Sequence, residues 1–78
     1  MNRIPLNLTM IGYGTFALDL PTQQPVSELK AVMRKKIKQL EGREFEFYSK
    51  GRALRLDQTL EDADMLPHDT LEIKIRPN

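Results

Sequence analysis

The chain has no cysteine, one histidine and almost no net charge. Without cysteine there is no disulfide, no thiolate metal site and no thiol nucleophile, a composition that suits a reducing compartment. The lone histidine, His68, has no activated serine or orienting acid in a recognisable motif, so a catalytic triad is not expected. It also lacks companions at metal-ligand spacing. Twelve Lys and Arg oppose eleven Asp and Glu, for a formal charge of +1. No global field therefore draws nucleic acid, and any basic function must come from local clustering. No stretch approaches the roughly 20 apolar residues of a membrane helix. Met1-Asn2-Arg3-Ile4-Pro5 lacks the apolar core of a signal peptide.

What is present is a small globular composition: 78 residues, 40% apolar and 29% charged. That is one domain, residues 1–78. A chain this short buries about 60–65% of its unfolded surface, enough for one core and no deep cleft. No repeat, linker or low-complexity segment interrupts it.

Residues 4–11 alternate, with Leu6, Leu8 and Met10 on one face and Asn7 and Thr9 on the other. Gly12-Tyr13-Gly14 supplies turn chemistry, and Thr15 to Leu20 alternates again with Phe16, Leu18 and Leu20 inward. The pair predicts a hairpin. Pro21 to Pro25 is a loop. Val26 to Leu40 predicts a helix whose apolar stripe is Val26, Leu29, Met33, Ile37 and Leu40. Glu28 near its start and Lys35, Lys36 and Lys38 near its end suit the macrodipole, and Gly42 is available for a left-handed cap. Phe45 and Phe47, alternating with Glu46 and Tyr48, predict a third strand. Lys50-Gly51 turns into a short edge strand at Ala53-Leu54. Thr59 to Leu66 reads as a helical or turn arm carrying Leu60 and Met65, and Pro67-His68-Asp69 as a tight turn. Thr70 to Arg76 closes the chain as a strand with Leu71, Ile73 and Ile75 inward. The expected core is these inward residues with Leu54.

The order β-β-α-β-β, with a helix across a mixed sheet of four to five strands, resembles the ubiquitin-like β-grasp, an α+β fold. The spacing from Leu6 to Leu29 and from Phe47 to Arg76 is similar to that of ubiquitin-like proteins. So are the Gly51 turn, the Thr59-Leu60 arm and Asp69-Thr70-Leu71. Within that superfamily, three segments are similar to the small bacterial YukD/EsaB-like proteins: Tyr13-Gly14-Thr15, Leu18-Asp19-Leu20-Pro21 and Pro25-Val26-Ser27-Glu28-Leu29. Lys50-Gly51-Arg52-Ala53-Leu54 and Leu66-Pro67-His68-Asp69-Thr70-Leu71 share the likeness. The resemblance implies a cytoplasmic, non-enzymatic accessory of a type VII (Esx-type) secretion system, working without cofactor or metal. Its partner would be a protein, such as the cytosolic part of the secretion machine. Neither nucleic-acid binding nor membrane insertion is implied.

The departures from ubiquitin carry their own expectations. A chain ending in Arg76-Pro77-Asn78 lacks the Gly-Gly tail that conjugation needs, so a non-conjugating protein is expected. The alternatives are a ubiquitin-like domain of another complex or longer protein, and a sulfur-carrier or protein-modifier relative lacking its Gly-Gly end. Tyr48, Ile11, Glu72 and Lys74 stand where ubiquitin keeps its apolar recognition patch, so ubiquitin receptors are not expected to bind.

Two candidate contact surfaces remain. One holds the large outward side chains Ile11, Tyr13 and Tyr48, with Lys74. The other is basic, made of Arg34, Lys35, Lys36 and Lys38 with Lys30 and Arg43. Glu61, Asp62 and Asp64 lack the spacing of a calcium loop and read as a solvated arm. Gly12-Tyr13-Gly14 opens no helix and so is not a phosphate cradle.

Overall fold

The structure is a computed structural model that describes residues 2–77. The expectation drawn from the terminal Asn78 lies outside the described residues.

Strand β1 (Arg3–Met10) and strand β2 (Gly14–Pro21) form the first hairpin. Ile4, Leu6, Leu8 and Met10 are all buried, as their period of two requires. The turn between the strands begins a residue earlier than expected and includes Ile11. Tyr13 N–H donates to the Met10 carbonyl at 3.0 Å, while Gly12 and Gly14 take φ of 89° and 107°, a region closed to most side chains.

Helix α1 (Val26–Lys36) buries Val26, Leu29 and Met33. Its first amide groups have no side-chain cap. Instead Val26 N–H donates to the Gln58 carbonyl at 2.8 Å and Ser27 N–H to the Leu56 carbonyl at 3.1 Å, which satisfies donors that a helix leaves orphaned. The helix predicted over 26–40 stops short, at Lys36. Ile37 is extended, with φ −114° and ψ 107°, and a short 3-10 turn (Lys38–Leu40) follows. Ile37 and Leu40 are nevertheless buried, at 7% and 0% exposure. The break lets the chain reverse toward Phe45 within a few residues, and a β-branched residue tolerates the extended conformation. Gly42, with φ 70°, follows this 3-10 turn and does not cap α1.

Strand β3 (Phe45–Ser49) pairs antiparallel with strand β5 (Thr70–Ile75) and with the two-residue strand β4 (Arg52–Ala53). Strand β5 pairs parallel with β1, from Asn7 opposite Thr70 to Met10 opposite Ile73. The five-stranded mixed sheet has the order β2-β1-β5-β3-β4. The chain's last strand thus lies between the first and third, and α1 covers the apolar face.

The Thr59 arm forms turns, not a helix. Thr59 Oγ1 accepts from Asp62 N–H at 3.0 Å and Asp62 Oδ2 accepts from Thr59 N–H at 3.1 Å, a reciprocal cap that seats Leu60 at 0% exposure. Ser49 is buried too, donating its hydroxyl to the Met65 sulfur at 3.0 Å.

The expected core needs three refinements. Phe16 is 37% exposed, although it points to the helix side, because β2 lies at the sheet edge beyond the cover of α1. Leu18, Leu54 and Ile75 are half-buried at the margins of the core. Ile4, unassigned by the alternation argument, is buried beside Leu6.

Candidate protein-binding surface

Tyr48 is half-buried on the polar face of the sheet. The Lys74 ammonium lies 4.2 Å from the centre of its ring, a cation–π arrangement. The Tyr48 hydroxyl donates to Glu46 at 3.3 Å, and Glu46 in turn pairs with Arg76 at 2.6 Å. This face therefore spends much of its polarity on itself.

Ile11 and Tyr13 are 73% and 48% exposed at the hairpin tip. They do not form one apolar patch with Tyr48. In register, Thr9 faces Glu72 and Glu72 faces Tyr48, so a charged residue on β5 separates the two.

The basic cluster also divides. Arg34 is half-buried, donates to the Arg43 carbonyl at 3.2 Å, lies 3.8 Å from Glu44 and stacks 5.0 Å from the Phe45 ring. Lys30 sits over the same ring at 5.2 Å. Lys35, Lys36 and Lys38 instead stand exposed, and among the described residues none forms an ion pair. Those three are the free cations at the C-terminal end of α1 and in the 3-10 turn that follows it.

An open groove runs between the β2 edge at Phe16, Ala17 and Leu18 and the segment from Lys36 to Gln39. Alternation alone does not reveal it, because it depends on β2 being the edge strand and on α1 ending at Lys36.

Among the described residues no group of His, Asp or Glu is placed to hold a metal ion. No helix there is long and apolar enough to cross a membrane. His68 is an exposed turn residue with φ 71°; its backbone N–H donates to the Pro5 carbonyl at 2.7 Å.

A mixed sheet of this order, crossed by one helix and offering surfaces in place of an enclosed pocket, defines a β-grasp domain. The chain belongs to the ubiquitin family, whose model matches residues 6–78. A comparison with curated proteins finds no match. Among solved structures the chain is similar to a designed protein based on ubiquitin, at 21% identity and TM-score 0.78, covering 99% of this chain and 93% of that one. It is similar to the ubiquitin-like domain of an Arabidopsis thaliana protein, at 15% identity and TM-score 0.81, covering 100% and 82%. A third likeness is to a chain described under the words molecular mimicry of SUMO promotes DNA repair, at 15% identity and TM-score 0.80, covering 95% and 92%. At these identities the likenesses show the fold alone. Ubiquitin-like domains mediate protein–protein interactions.

Proposed function

We propose that this domain is a protein-binding adaptor that docks an acidic partner through the C-terminal end of α1, in the service of a type VII (Esx-type) secretion system. The observation that carries the docking site is the trio Lys35, Lys36 and Lys38, exposed and without intramolecular ion pairs. Arg34, Arg76 and Lys74 are already engaged by Glu44, Glu46 and Tyr48. Unpaired surface cations steer a complementary partner and fix its register more than they add raw affinity. The secretion context rests on the likeness of Tyr13-Gly14-Thr15, Leu18 to Pro21 and Pro25 to Leu29 to the YukD/EsaB-like proteins. The partner is then a cytosolic component of the secretion machine, and the adaptor works there by non-covalent binding, without chemistry of its own. The sheet face around Tyr48 and Lys74 is the competing surface; it offers the half-buried Tyr48 ring, but its cation is already taken up by that ring.

Affinity capture from the source cell tests both parts. Wild type and Tyr48→Ala retain the partner, while Lys35→Glu with Lys36→Glu loses it. Retention by the lysine-reversed protein removes the proposed docking site. Capture of components of an unrelated complex, with no secretion component among them, removes the type VII assignment.

A further inference from the structure

From Ile4 to Leu18 the chain carries no charged side chain. The first hairpin is therefore uncharged around its turn, yet three of its large apolar residues meet water. Ile11 is 73% exposed, Tyr13 48% and Phe16 37%. The turn stands clear of the rest of the domain: a side chain placed on Gly12 or Gly14 would meet nothing within 4 Å. Tyr13 N–H is already bonded to the Met10 carbonyl at 3.0 Å, which lowers the cost of taking the turn out of bulk water. The free lysines lie on the same flank. Phe16 lines one open groove with Lys36 and Lys38, and Lys35 adjoins them in sequence. The exposed acids Glu61 and Asp62 are held at the other end of α1, where Pro25 and Thr59 form a β-bridge and Glu61 N–H donates to the Thr22 carbonyl at 3.1 Å. The helix, roughly 16 Å long at its 11 residues, separates them from the lysines. Glu41 is the acid nearest the lysines in sequence.

We propose that the hairpin tip and Lys35, Lys36 and Lys38 form one footprint for an anionic membrane surface, on which the domain lies peripherally. The lysines meet lipid phosphates while Ile11, Tyr13 and Phe16 enter the headgroup layer, so charge attraction and apolar burial act together. Tyrosine suits that depth, with an apolar ring and a polar hydroxyl. The tip is convex. A folded protein needs a matching hollow to cover it, whereas a fluid bilayer closes around it. No charge in the hairpin repels the headgroups, and the acids beside the start of α1 are carried away from the membrane plane. The lysines are those of the docking site proposed above, so a bilayer and an acidic protein compete for them. The tip serves the bilayer alone.

Cosedimentation with vesicles of mixed phosphatidylglycerol and phosphatidylcholine at low salt tests the footprint. The wild-type domain binds these vesicles and leaves vesicles of phosphatidylcholine alone unbound. Lys35→Gln, Lys36→Gln and Lys38→Gln together lower the partition coefficient by roughly a hundredfold, about fivefold for each lysine. Ile11→Ser combined with Tyr13→Ser lowers it by at least about tenfold, with the urea midpoint unchanged because both side chains are exposed. Binding untouched by the tip substitutions would overturn the joint footprint. So would equal binding to uncharged vesicles, or none to anionic ones. If lysine reversal abolishes partner capture and anionic vesicles do not bind, the protein docking site stands and the membrane footprint falls. If the vesicles bind as described and lysine reversal leaves partner capture intact, the footprint stands and the protein docking site falls.

Discussion

Strands β5 and β2 carry the same pattern, an apolar residue at every second position, and meet opposite fates. In β5, Leu71 and Ile73 are 0% and 1% exposed, flanked by β1 and β3 and covered by the helix. In β2, only Leu20 is fully buried, Leu18 is half-buried and Phe16 is 37% exposed. Alternation decides which side of the sheet a side chain faces. It does not decide how much cover that side receives, which depends on strand order and on where the helix stops. The central strand holds the molecule together; the edge strand leaves part of its apolar surface uncovered.

That contrast can be broken most forcefully at Leu71. Leu71→Asp places a charge at the centre of the core and should abolish the folded state, read by far-UV circular dichroism. Leu71→Ala should cost about 2–5 kcal/mol in urea unfolding. Phe16→Ala, at the edge, should cost about 1 kcal/mol or less despite deleting a larger side chain. Equal costs would contradict the assignment of centre and edge. A smaller effect is expected from Thr59→Ala, which opens the reciprocal cap with Asp62 and should lower stability by about 1 kcal/mol. Smallest are changes on the polar face. Lys74→Ala removes the Tyr48 stack, worth about 0.5–1 kcal/mol, and Glu72→Lys beside it should stay within about 0.5 kcal/mol. A Glu72→Lys loss as large as that of Leu71→Ala would reverse the strand phase.

Much of this was legible from residue order, for physical reasons that also mark where it stopped. Phe45, Phe47, Leu71 and Ile73 mark β3 and β5 and the face each of them buries, because a period of two leaves little choice of side. The stripe Val26, Leu29, Met33, Ile37 and Leu40 names buried residues correctly. It misplaces the helix end because a 3-10 turn after an extended Ile37 keeps Leu40 inward without continuing the α-helix. The basic cluster was visible as composition, whereas its division was not. Only the approach of Glu44 and Phe45 to Arg34 separates an engaged guanidinium from the free lysines nearby. The β2 groove left no local signal, since it is made by an edge position and by the end of a helix distant in sequence.

The most direct test of the central claim is a chemical-shift map of the labelled domain bound to its captured partner. Perturbations should concentrate at Lys35 to Gln39, with Tyr48, Glu72 and Lys74 little changed. Perturbations centred on Tyr48 and Lys74, with the end of α1 silent, would contradict the basic docking site.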